Sequence, residues 1–157
     1  MRGDMAHLNS EVIAGADWEV EQEGFLSLIE PGEYDASCVK VKEFQQYGGL
    51  KKLCLTWNFS LSCKEGVLLP QFFNMEHKKF SETTSYYKAW FMANGYKRPS
   101  RRTRLYMPPK IFEGVMGTVM VVTVRRKFPD GTDMPTEYDY SKVSFIRKIL
   151  NRNNGVG

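Results

Sequence analysis

The chain has 157 residues, 42% of them hydrophobic and 25% charged, enough for one domain with its own core and unlike a wholly disordered chain. No apolar run approaches the roughly 20 residues of a membrane-spanning helix, and the N-terminus lacks the basic-then-apolar order of a secretory signal, so a cytoplasmic protein is expected. The net charge of +4 conceals a division: residues 1–37 hold nine acidic residues and one basic, while residues 38–157 hold twenty-one basic and nine acidic, a balance that suits polyanionic partners.

In chain order, residues 1–24 read as an acidic arm, expected to be flexible. Glu19, Glu21 and Glu23 interrupt it and no sustained apolar period appears before Phe25. Such an arm has the charge to lie over a basic surface and compete with nucleic acid for it. Residues 25–150 form the expected domain, and 151–157 a flexible tail. After the Pro31-Gly32 turn signal, Glu33 to Phe44 reads as a first strand, with Val39 and Val41 on one face. Gln45 to Gly49 breaks it. Leu53, Leu55, Trp57, Phe59 and Leu61 then alternate with Cys54, Thr56, Asn58 and Ser60, predicting a second strand with one apolar face and one of small polar groups.

A third strand spans Val67 to Phe73, where Pro70 marks an edge or a bend. From Ser81 to Asn94 the period becomes helical, with Ser81 as N-cap, Gly95 as C-cap, and Tyr87, Trp90 and Phe91 on the apolar side. The basic stretch GYKRPSRRTRLY, residues 95–106, follows the helix directly and runs toward Pro108-Pro109. Gly117 to Phe128 is a fourth, β-branched strand. The turn signal Pro129-Asp130-Gly131-Thr132 precedes a fifth from Tyr138 to Ile146, and the chain then reads as a polar tail.

Three strands, a helix and two strands is the element order of the OB-fold. The expected architecture is mainly β: a five-stranded OB-fold-like Greek-key barrel with one helix between strands 3 and 4, plugging the barrel's end. A β-sandwich would want about seven strands. Pro31-Gly32-Glu33-Tyr34, the Leu53-x-Leu55-x-Trp57-x-Phe59 strand, the Tyr86-Tyr87-x-x-Trp90 helix and the Val121 to Val124 arm together resemble the small OB-fold single-stranded DNA-binding and accessory proteins of phages and other mobile elements. The resemblance covers residues 31 to about 148 and lies in element order rather than in a short motif. It implies binding of single-stranded nucleic acid in phage or mobile-element DNA metabolism.

Proteins that hold single strands combine cations for the phosphates with aromatic faces for the bases. In OB-folds the working surface is usually strands 2 and 3 with the loops joining strands 1–2 and 4–5. The first loop offers Tyr47, Lys51 and Lys52; Tyr47 lies between glutamines and glycines, where no core period explains it. Phe44 and Phe72 are further stacking candidates. Arg125, Arg126 and Lys127 lead into the second loop. Lys97, Arg98, Arg101, Arg102 and Arg104 lie close together with no acidic neighbour in sequence, so a counter-charge is expected from a phosphate backbone or from the acidic arm. Trp57 and Phe59 share the apolar face and are read as core, as are Tyr87, Trp90 and Phe91.

Enzymatic chemistry is not expected. The chain has no phosphate-binding glycine loop and no G-x-S-x-G, its histidines are His7 and His77 alone, and Asp130 and Asp133 fall in a turn that favours Asp for conformational reasons. Cys38, Cys54 and Cys63 are odd in number and widely spaced, so they read as reduced, buried small hydrophobes rather than a zinc site. No metal or cofactor is expected. The expected function is non-enzymatic binding of single-stranded nucleic acid, with DNA the expected ligand, and with little sequence preference. The alternative is a protein-interaction module of a mobile element whose basic surface docks an acidic protein.

Overall fold

A computed structural model describes residues 27–45, 49, 51–75 and 81–152. The acidic arm, Tyr47, His77 and residues 153–157 lie outside the described residues. The elements are β1 (Gly32–Gln45), β2 (Lys51–Asn58), β3 (Leu68–Asn74), α1 (Ser85–Ala93), β4 (Val115–Val124) and β5 (Tyr140–Arg152). The five strands form one antiparallel sheet in the order β3-β2-β1-β4-β5. Its two edges, β3 and β5, run near each other and α1 packs against both, but among the described residues no ladder joins them. No helix among these residues is long and apolar enough to cross a membrane.

One face of the sheet and α1 enclose the core. Leu53, Leu55, Trp57 and Phe59 are fully buried, as expected, and Phe73, Tyr86, Tyr87, Trp90, Phe112, Val119 and Val121 join them. Phe73 and Phe112 stack with centroids 6.2 Å apart, and Tyr86 meets Phe73 edge-on at 5.6 Å. Packed rings of this kind contribute roughly 0.5–1.5 kcal/mol per pair beyond their buried area. Burial pushes the Cys38 thiol up to about 12, so it behaves as a small hydrophobe. Cys54 is buried too, whereas Cys63 is exposed: it sits in a left-handed turn at φ 60° that closes the link after Ser60–Ser62.

Three local expectations are corrected by the backbone. Val39 does not share a face with Val41, because the β1–β2 register shifts between Cys38 and Lys40. That bulge turns Val39 out to 55% exposure, while Val41 stays packed on the core. The helix is capped by Thr84, whose hydroxyl accepts from the Tyr87 N–H, rather than by Ser81. Ser81 instead contributes its carbonyl to the Thr84 hydroxyl. Gly95, at φ 77°, does end the helix. Finally, β5 continues to Arg152, well past the expected end at Ile146. Its pairing with β4 accommodates three register shifts and a close approach at Gly117, where a Cβ would lie 2.8 Å from the Lys148 carbonyl oxygen.

Candidate nucleic-acid interface

The outer face of β1, β2 and β3 is set by the bulge at Val39. Beyond it, Lys40, Lys42 and Phe44 point away from the core, two residues apart on one strand face. The register then places Lys40 beside Thr56 and Pro70, Lys42 beside Cys54 and Phe72, and Phe44 beside Lys52 and Asn74. These nine positions carry three lysines and two phenylalanines and no carboxylate. Phe44 and Phe72 meet across β2, edge to face, with centroids 6.3 Å apart.

This arrangement explains a departure from the sequence pattern. Cys54 and Thr56 occupy the small polar face of β2, yet they are 1% and 6% exposed. Their register neighbours are Lys42 and Phe72 for Cys54, and Lys40 and Pro70 for Thr56. Phe44 and Phe72 remain half-buried. Lys40 and Lys42 were not singled out from sequence, although Lys40-x-Lys42-x-Phe44 carries the signal of a single strand face.

The basic stretch after α1 is held in a defined conformation. The Ile149 N–H donates to the Tyr96 hydroxyl, and the Asn94 side chain donates to the Lys97 carbonyl. At the far end, Tyr86 donates to the Met107 carbonyl and the Trp90 indole to that of Pro108. Between these anchors Ser100 accepts from the Thr103 and Arg104 N–H groups and starts the short Thr103–Leu105 turn. Lys97, Arg101 and Arg102 are exposed. Arg98 pairs with Glu82 at 3.4 Å, and the Arg104 guanidinium lies 5.0 Å from the Tyr87 ring centroid. The stretch thus has counter-groups that its sequence neighbours do not reveal.

The link between β4 and β5 satisfies most of its own charge. Arg125 contacts Asp139 at 2.8 Å and Asp133 at 3.4 Å, and Lys127 contacts Asp133 at 2.6 Å. The hydrogen bond from Lys127 holds the Asp133 carboxyl below the usual carboxylate range. Asp130 is lowered by hydrogen bonds from the Thr132 hydroxyl and N–H, the turn role expected for it. Arg126 is 8% exposed; its guanidinium lies 4.4 Å over the Tyr140 ring, and its Nε donates to the Tyr138 carbonyl.

Of the residues expected at the interface, Phe44, Phe72 and Lys52 therefore come together on one face, and Lys51 is exposed at the start of β2. Arg125, Arg126 and Lys127 form a separate, internally bonded cluster. Tyr47 lies outside the described residues. No family model and no curated protein matches this sequence. The function is accordingly read from the chemistry of the sites themselves.

Proposed function

We propose that the protein binds single-stranded nucleic acid, with DNA as the ligand, on the outer face of β1, β2 and β3, without catalysis and with little sequence preference. The observation that carries this reading is the lysine and phenylalanine grid of Lys40, Lys42, Phe44, Lys52 and Phe72, free of any carboxylate position. Lysines at this spacing neutralise successive phosphates. The phenylalanine faces accept bases, a contact of roughly 1–3 kcal/mol per base that tolerates any sequence because every base has a π-face. The strand order β3-β2-β1-β4-β5 with α1 between β3 and β4 supports an OB-fold-like barrel, whose usual working face includes β2 and β3. The exposed cations Lys97, Arg101 and Arg102 supply a further patch of attraction at the surface. The likeness in element order to phage and mobile-element single-strand binders supports a place in the DNA metabolism of such elements.

Titrating labelled oligo(dT) at rising salt tests the reading. Binding is expected at low salt, with log affinity falling linearly with log salt by about 0.7 per neutralised phosphate. Absence of binding at low salt, or affinity indifferent to salt, would overturn it and turn attention to an acidic protein as the partner of the basic surface.

A further inference from the structure

A cleft of about 440 Å³ opens where β3, β5 and α1 meet, and its lining includes Gln71, Phe72, Lys88, Met92, Ser144 and Phe145. Its walls are mixed, with Thr83 and Ser85 beside the rings, and Phe145 keeps 45% of its surface exposed. The floor is different. Gln71 is 2% exposed, and its Oε1 accepts from the Trp57 indole N–H at 2.9 Å. An indole N–H can only donate, so this bond fixes which end of the amide faces Trp57 and turns Nε2 away from it. That Nε2 donates to no acceptor among the described residues. The amide is not among the fully buried polar groups that lack a partner, so Nε2 meets the cleft in a fixed orientation and can take an acceptor that enters it.

We infer that the cleft takes one nucleobase from a strand lying on the β1–β2–β3 face, and that Gln71 Nε2 donates to a carbonyl or ring-nitrogen acceptor on that base. This rests on the single-strand binding proposed above. Phe72 makes the connection, because it belongs both to the outer grid and to the cleft lining. β3 is an edge strand, so a nucleotide can pass over its free edge from one side to the other. There the base lies between Phe72 and Phe145, and Lys88 at the exposed surface of α1 is placed for the adjoining phosphate. A slot bordered by Phe72 and Phe145, with the Gln71 amide at its floor and the hydroxyl residues Thr83, Ser85 and Ser144 along it, suits a planar ring with acceptors on its edge. All nucleobases satisfy this, which keeps the sequence preference slight while making one nucleotide position special.

The test uses the full chain and the shortest oligo(dT) that binds at full affinity, with a single abasic residue moved through successive positions. One position is expected to cost about tenfold more affinity than the others. Ser144→Trp fills the cleft from an exposed strand position and should flatten this profile, with the salt dependence unchanged. Gln71→Leu should flatten it as well, and thermal melting shows whether that variant folds; if it does not, Ser144→Trp carries the test. A flat profile in the wild type, or a profile untouched by Ser144→Trp, overturns the cleft while the outer-face reading stands. A folded Gln71→Leu that keeps the full position dependence overturns the role of the amide. Failure of every oligonucleotide to bind defeats the underlying reading, a separate and recognisable outcome.

Discussion

The outer grid of β1, β2 and β3 and the link between β4 and β5 are both basic, and they differ in where carboxylates stand among the cations. In the link, Arg125 and Lys127 contact Asp133 and Asp139 at distances down to 2.6 Å, and Arg126 is laid over Tyr140. In the grid, three lysines share nine positions with two phenylalanines and no carboxylate. A run such as Arg125-Arg126-Lys127 is therefore held within its own loop, whereas three lysines scattered along the sequence are gathered by strand register onto one face. Desolvation and local pairing, rather than the density of charge along the chain, decide which cations face a ligand.

The contrast can be broken most directly by removing the rings. Phe44→Ala combined with Phe72→Ala should weaken oligo(dT) binding by about 10- to 100-fold in fluorescence anisotropy, given roughly 1–3 kcal/mol per stacked base. Both positions are only half-buried, so circular dichroism should show the fold retained. Undiminished affinity would place the site elsewhere. Next in size, replacing Lys40, Lys42 and Lys52 by Ala should lower affinity about tenfold at low salt and make the salt dependence shallower by about 2 in log–log slope. An unchanged slope would mean that these ammonium groups do not meet phosphates.

The other half of the comparison predicts loss of stability rather than loss of binding. Arg126→Ala should cost about 1–3 kcal/mol in urea unfolding, through lost packing on Tyr140 and the Tyr138 carbonyl left without its donor. Affinity for oligo(dT) should stay within about twofold of wild type. A large drop in affinity from a stable Arg126→Ala protein would erase the distinction between the two regions. The smallest effect concerns pH. Lys127 holds the folded-state pKa of Asp133 below 3.8, so this contribution to stability is present above the ordinary carboxylate value and is lost as pH falls through the lowered one. Asp133→Asn should remove a slight part of the acid dependence of the melting temperature while leaving binding at neutral pH unchanged.

Much of the scaffold was legible because local pattern and final environment agree. Leu53 to Phe59 alternates as a strand should, and its apolar members are the centre of the core. The helix and its glycine terminator follow from period and conformation. Less legible was everything that depends on a neighbour distant in sequence. A residue inserted at Val39 reverses the faces of the rest of β1, and alternation alone cannot locate such a bulge when both faces carry mixed residues. Cys54 looks solvent-facing until Phe72 is known to stand beside it and to meet Phe44 across β2. The helix cap moved from Ser81 to Thr84 because two neighbouring hydroxyl residues could each fill the role. Gln71 looked like an ordinary polar residue in a strand until the Trp57 indole fixed its amide.

By itself, the sequence determined that the chain makes a β-rich domain with one helix after its third strand, that the tryptophans at 57 and 90 are buried, and that most basic charge follows residue 37. These properties depend on composition and on spacing within single elements, where hydrophobic burial and backbone geometry act over a few residues. Which cations share a face, which are paired with carboxylates, and which amide is left with an open donor were decided only by the tertiary structure. Each depends on the register between strands and on contacts between residues far apart in the chain, and a shift of one residue would exchange the faces.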